Sequence, residues 1–457
     1  MKVINPATQK IIKEVKEDTL ASLQLKSQKL QKGFLKWQTT PFSQRKSCIR
    51  QFQKLLLENK HKLAKDLCLE TGKPITQALY EVQQTTRRIQ FFLDHTQEIL
   101  RPLEVPEAPG RITREPLGVI ANISAWNYPY FVGSNVFIPA LLTGNTVFYK
   151  PSEHSLLSGQ NIARLLWKSG IPKEAFQLAL GPGRVGQKLL QTPLQGVFFT
   201  GSYKTGKAIA QMICPHMIRL QLELGGKDPV YVRADIKNIS AAAQSIADGV
   251  FYNNGQSCCS VERLYIHQKI YKPFVEAFIQ AAKKMIIDNP LSKETYLGPL
   301  TRKEQVVVLK KQVKDALQKG AHLAYQAPTP DFYKKNPFFF PPTVLTHVHH
   351  KMTVMTEESF GPIIGIQKVK SDEEAIQLMN DTSYGLTAGV FSNSKKRADE
   401  ILEKINAGTV YWNCSDRVSP FLPWTGRKHS GIGSTLSKIG IEAFLQPKAW
   451  HTGPCCF

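Results

Sequence analysis

Acidic residues are scarce in this 457-residue chain, 36 against 59 lysines and arginines, which leaves a formal net charge of +23. Such a balance raises the question of a polyanionic partner. The lysines, however, are spread through amphipathic stretches such as FLKWQ, NKHKLAKDL and QAAKKMI, with no block of five or six like charges, so a solvated basic surface is expected rather than a nucleic-acid site. Long apolar runs are missing too: none approaches the ~18 residues needed to cross a bilayer. The opening MKVINPATQK lacks the features of a signal or transit peptide, and a cytoplasmic location is the expectation. Eight cysteines, at 48, 68, 214, 258, 259, 414, 455 and 456, form no CxxC pair and no regular framework. That excludes a disulfide scaffold and makes each thiol either buried filler or a reactive group. The closing GPCCF has Pro454 where a prenylated cysteine would stand, so it is no lipidation signal. HVHH at 347–350 has no carboxylate or cysteine beside it, and no metal site is expected.

What is present is an alternation. With 42% hydrophobic residues, the chain is long enough for two or three domains. A helical stripe from residue 43 carries Ile49, Phe52, Leu55, Leu56, Leu63 and Leu67 and closes at Gly72 and Pro74. Between about 117 and 224, the segments GVIANISAW, NTVFYK, FQLAL, GVFFTG and RLQLEL read as strands. The helices SLLSGQNIARLLWKSG, RVGQKLLQ and KTGKAIAQMI separate the later ones. A second block from about 236 to 413 repeats the pattern, with helices PFVEAFIQAAKKMI and KEQVVVLKKQVKDALQKG and strands RLYIH and TAGVFS. Strand–helix alternation implies right-handed crossovers and a parallel sheet covered on both faces. The fold class is therefore α/β with two doubly wound domains, and ligands are expected at strand carboxyl ends.

Several short stretches sit where chemistry is possible. GPGRVG at 181–186 matches GxGxxG, yet the acidic residue expected about 20 positions on is absent from Tyr203–Gly206, so a plain turn competes with a dinucleotide fingerprint. In FTGSYKTG, Gly201 lets the backbone approach a ligand and Ser202 caps a helix whose amides suit a phosphate, although strand–Gly–Ser–helix is also a common structural cap. LELGGK ends a strand on Glu223 beside two glycines, where it serves either as a general base or as a lysine's partner. SAWNYPY sets Asn127 in a rigid turn before Pro129, with an amide that could donate to an oxyanion. FYNNGQSCCSVER places Cys258 and Cys259 side by side, and composition alone does not say which is a nucleophile.

Taken in order, NPATQ, ETGKP, EPLGVI, WNYP, GNTVFYKPSE, FTGSYKTG, LELGGKDP, NNGQSCC, EESFGPI, NDTSYGL, AGTVYWN and SGIG resemble the NAD(P)-dependent aldehyde dehydrogenases over nearly the whole chain. The resemblance implies Cys258 as nucleophile, Glu223 as base, and Asn127 with the Cys258 amide as oxyanion hole. It implies cofactor contacts from Trp126, Lys150, Glu153, Gly183, Gly201, Ser202, Glu358 and Phe360. Glu153 would accept a ribose hydroxyl and repel a 2′-phosphate, favouring NAD while leaving NADP possible. Tyr130, Phe131, Val132, Ser257, Cys259, Arg417 and Trp424 align with the substrate pocket, Arg417 being either solvated or a receiver for a semialdehyde carboxylate. Implied domains are a cofactor domain of 1–98 and 117–224, a catalytic domain of 225–430, and a small β oligomerisation arm of 99–116 completed by 440–457. A homodimer or homotetramer follows from such arms.

These residue types suit aldehyde oxidation. A thiolate adds to the aldehyde, the hemithioacetal oxyanion needs donors, and the thioester left after hydride loss needs an activated water. This chain departs from many members at two charged positions of a proposed proton relay, which are here Val136 and Thr435, and PFGG is here PWTG with Trp424 and Thr425. The alternatives are a CoA-acylating semialdehyde dehydrogenase and a non-catalytic basic binding protein. Glu223 argues against the first and the joint presence of Cys258, Glu223 and Asn127 against the second.

Overall fold

A computed structural model describes residues 1–107 and 110–451. All five strands expected between 117 and 224 form, as Val119–Ile123, Thr146–Lys150, Phe176–Leu178, Gly196–Thr200 and Arg219–Glu223. Their parallel sheet runs from Phe176–Leu178 through Thr146–Lys150, Val119–Ile123 and Gly196–Thr200 to Arg219–Glu223. The order reverses between Val119–Ile123 and Gly196–Thr200, the crevice where such sheets bind ligands.

Why the strands read as continuous apolar runs is visible in their packing. Ile120, Val147, Tyr149 and Phe198 point into one core with the helices Phe42–Glu58, Ile75–Ile99 and Pro129–Leu142. Their neighbours Val119, Ala121, Phe148, Val197 and Phe199 point into another, against Leu23, Leu30, Val185 and Ile209. Both faces are dry, so the polar–apolar alternation of a one-sided sheet is absent. The second sheet repeats this: Tyr231 and Tyr265 enter one cluster while Val230, Val232, Leu264 and Ile266 enter the other. It holds seven strands, with Asp228–Val232 and Val261–His267 central and an antiparallel edge at His322–Gln326.

Two differences from the sequence expectation have local causes. The stripe from residue 43 is two helices, Phe42–Glu58 and Lys60–Thr71, broken where the Asn59 amide caps the Leu55 carbonyl at 2.8 Å. Late in the chain, Gly431–Ile432 returns to the first sheet and pairs antiparallel with Arg219–Glu223, Gly431 opposite Glu223. The terminal strand joins the two strands of the arm as expected, Leu103–Val105 and Leu445–His451 flanking Gly110–Pro116. Cys455 and Cys456 lie outside the described residues. Among the described residues, no helix is long and apolar enough to cross a membrane.

Candidate active site

The connection between the two sheets determines where the site can be. Arg219–Glu223 ends at Glu223 and, after a link of four residues, Asp228–Val232 starts in the second sheet. The carboxyl ends of the first sheet therefore meet amino-end loops of the second. A cavity of about 740 Å³ lies there, and Trp126, Asn127, Lys150, Glu153, Gly183, Gly201, Ser202, Glu223, Cys258, Glu358 and Phe360 all line it.

The first sheet supplies Trp126 and Asn127 after Ile123, Lys150 at a strand terminus, Gly201 and Ser202 after Thr200, and Glu223. Ser202 caps the helix Tyr203–Ile213 by accepting from the Thr205 amide at 3.4 Å, and this helix opens onto the cavity. Gly181 has φ 156° and the Val185 side chain lies where its Cβ would be, whereas an added Cβ at Gly183 would meet nothing. GPGRVG is thus a tight turn and a cavity wall at once. Lys150 and the half-buried Glu153 are 3.9 Å apart. Strand ends, a helix N-terminus and a carboxylate on one elongated wall fit a dinucleotide.

The cysteines are presented by strained backbone. Asn253, Asn254 and Gly255 have φ of 53°, 57° and 68°, a left-handed run that asparagine and glycine tolerate best. Each side chain of NNGQ is anchored: Asn253 donates to the Asn127 and Gln256 carbonyls, Asn254 to the Pro299 carbonyl, and Gln256 accepts from the Thr301 amide. The turn sends the two thiols in different directions. Cys258 lines the cavity, while Cys259 is 3% exposed and donates to Asp416 at 2.9 Å. The Cys258 thiol beside it, burial and the Asp416 carboxylate all push the Cys259 thiol far up, so it stays protonated.

Glu223 is 6% exposed. Burial pushes its carboxyl up to about 8, against opposing hydrogen bonds from Gln221 and Thr435. Gln221 donates to Oε1 at 3.4 Å and Thr435 at 3.3 Å, and Oε2 has no partner. Thr435 is itself held by a two-way backbone bridge to Trp424, so PWTG and the missing glutamate belong to one local arrangement. Val136 packs in the apolar core. Glu358 lies over Gly225, where its carboxyl would collide with any Cβ, and accepts from the Gly226 amide. Burial, reinforced by the charge of Glu262, raises it to about 8.

Sequence reasoning missed the supports beneath these groups. Lys73 of ETGKP is buried and bridges Glu81 to the Asn127 carbonyl, at 2.6 Å from the latter, and Glu81 also accepts from the Tyr130 amide. Lys227 pairs with Glu262, whose carboxylate accepts from the Ser359 and Phe360 amides. Charged residues at apolar-stripe positions of the helix Ile75–Ile99 are the one signal that could have exposed Glu81. Lys73→Met leaves the Glu81 carboxylate buried and uncompensated, so unfolding free energy is expected to fall by about 3–5 kcal/mol. Adding Glu81→Gln to it should return part of that loss, both read from urea denaturation midpoints.

The residues aligned with a substrate pocket are dispersed. Ser257 and Cys259 both bond Asp416; Phe131 stacks on Tyr128, their ring centres 5.9 Å apart; Trp424 is in the core behind Thr435. Tyr130 is 1% exposed and packs in the helical core near Glu70, outside the cavity lining. Arg417 is exposed and its side chain makes no hydrogen bond among the described residues.

Comparison with known proteins agrees with this geometry. The aldehyde dehydrogenase family model matches residues 1–450. A peroxisomal aminoaldehyde dehydrogenase 2 of Malus domestica is 31% identical, over 98% of this chain and 91% of that protein. The betaine aldehyde dehydrogenase of Bacillus subtilis is 31% identical over 98% and 92%. Among solved structures, betaine aldehyde dehydrogenase from Staphylococcus aureus, in complex with NAD+, superposes with a TM-score of 0.95 at 30% identity, covering 99% of this chain and 92% of that one. The chain belongs to the aldehyde dehydrogenase family, NAD(P)-dependent enzymes that oxidise aldehydes to carboxylic acids.

Proposed function

We propose that the cavity carries out this oxidation with Cys258 as nucleophile, Glu223 as general base and Asn127 with the Cys258 amide as oxyanion donors, releasing a free acid. The convergence of Cys258, Glu223 and Asn127 on one cavity carries this reading. The Cys258 thiolate adds to the aldehyde carbon, forming a carbon–sulfur bond and a tetrahedral oxyanion. Asn127, whose side chain already donates to the Gln256 carbonyl at 3.1 Å, has a second amide proton for that oxygen. Bound nicotinamide supplies the hydride acceptor. Once the former aldehyde hydrogen has departed as hydride, Cys258 holds a thioester. Glu223 then takes a proton from water, hydroxide adds to the thioester carbon, and the carbon–sulfur bond breaks to give carboxylic acid and thiolate.

Lys150, Glu153, Gly183, Gly201 and Ser202 would hold the adenosine and pyrophosphate, with Trp126, Glu358 and Phe360 toward the nicotinamide end. A carboxylate at position 153 supports NAD over NADP. Glu153→Ala is expected to raise the NADP-to-NAD ratio of kcat/KM at least about tenfold, by removing a like-charge contact. An unchanged ratio would refute that role.

We assign residues 1–98 and 117–224 to the cofactor domain, 225–430 to the catalytic domain and the three-stranded sheet to an oligomerisation arm joining a dimer or tetramer. A cytoplasmic, reducing setting is in keeping with six free thiols among the described residues. The names of the relatives place aminoaldehydes and betaine aldehyde on the test panel beside neutral and anionic aldehydes. The decisive test is an aldehyde panel with NAD and NADP, with and without coenzyme A. Free-acid release without coenzyme A supports the hydrolytic reading, and strict dependence on it would replace that reading by acyl transfer.

A further inference from the structure

The helix Ile75–Ile99 carries two charged residues two turns apart on its buried face, Glu81 and Arg88. Glu81 is fully engaged by Lys73 and the Tyr130 amide. Arg88 is not: it is 8% exposed, and its guanidinium makes one side-chain hydrogen bond among the described residues, to Asn135 Oδ1 at 3.1 Å. No carboxylate among the described residues is within ion-pair distance of it. A guanidinium has five donors and cannot discharge itself in a protein, so a nearly dry, singly bonded one is costly unless something anionic joins it.

Its surroundings place it behind the cavity wall that Tyr128 and Val132 form. The guanidinium lies 3.9 Å from the centre of the Phe131 ring, Phe131 stacks on Tyr128, and Tyr128 and Val132 line the cavity with Cys258. Burial lowers the pKa of the Arg88 guanidinium, and the charge of Glu81 on the same helix is the largest influence opposing that shift. The exposed Arg417, which the alignment offers as a carboxylate receiver, is already solvated and has no such vacancy in its bonding.

Resting on the oxidation reading, we propose that Arg88 anchors an anionic group at the far end of the aldehyde. The enzyme then prefers ω-carboxylate aldehydes to neutral ones and rejects cationic ones. The carboxylate gains a bidentate partner held flat by Phe131, while an ammonium group meets an unpaired like charge.

The test compares kcat/KM for short ω-oxocarboxylates such as succinate semialdehyde, n-alkanals of matching length and ω-trimethylammonium aldehydes. Wild type should favour the carboxylate over the cation by at least about a hundredfold. Arg88→Met should lower the carboxylate-to-alkanal ratio about tenfold to a hundredfold, mainly through KM, and Arg88→Lys should restore part of it. An unchanged ratio in Arg88→Met, a wild-type preference for the cationic aldehyde, or a loss confined to Arg417→Ala would overturn the proposal. Independently of turnover and of any variant's folding, short dicarboxylates such as glutarate should raise the Tm of wild type and protect Cys258 from iodoacetamide; absence of both also overturns it. Arg88-dependent dicarboxylate binding without any aldehyde oxidation would sink the oxidation reading alone. Oxidation without anion preference would sink this one alone.

Discussion

Cys258→Ser is expected to lower aldehyde-dependent NADH formation by about four orders of magnitude or more, while Cys259→Ser stays within about tenfold of wild type. The two substitutions are chemically identical and one residue apart, so the contrast isolates position. A serine hydroxyl at 258 has no neighbouring base strong enough to make it an alkoxide. At 259 the same hydroxyl can take over the hydrogen bond to Asp416 Oδ1 that the thiol now makes. Alkylation gives a second measure that does not depend on turnover: the buried, proton-holding Cys259 should label after Cys258. Equal losses in the two variants, or earlier labelling of Cys259 by mass spectrometry, would sink the assignment.

Glu223→Gln should reduce steady-state turnover by about a hundredfold to ten-thousandfold while leaving a burst of NADH on first mixing, because the thioester forms and is not hydrolysed. The pH profile carries the sign. A carboxyl raised to about 8 is protonated below that pH and basic above it, so wild-type steady-state rate should climb through about pH 8 and level off. Glu223→Gln should lose that inflection. Thr435 and Gln221 donate to Oε1 and so favour the charged form. Thr435→Val should therefore move the inflection to higher pH. A flat profile in wild type, or turnover in Glu223→Gln that matches it, would remove Glu223 from the base role.

Local pattern reached far into this molecule because its sheets are covered on both faces. Continuous apolar runs such as TVFYK and GVFFT have no other reading in an alternating chain, and their boundaries shift by only a residue or so. Motif order nominated Cys258 and Glu223, and both line the cavity. The break at Asn59 was not legible, since the apolar stripe continues across it and one side-chain bond to Leu55 ends the helix. Tyr130 was misplaced among pocket residues because alignment gives its position and not its rotation. Its side chain is buried near Glu70, and its amide bonds Glu81, 49 positions away in sequence.

The sequence by itself determined the α/β alternation and the family and nominated Cys258 and Glu223, since those depend on short-range periodicity and on residues in fixed local order. Tertiary structure alone decided which cysteine faces the cavity, why Thr435 and Trp424 stand together, and why no carboxylate among the described residues comes within ion-pair distance of Arg88. Those outcomes depend on desolvation and on partners brought near by folding. The pairing of Thr435 with Glu223 spans 212 positions and that of Arg88 with Asn135 spans 47. Neither separation corresponds to a helical or strand period, so no window along the chain contains them.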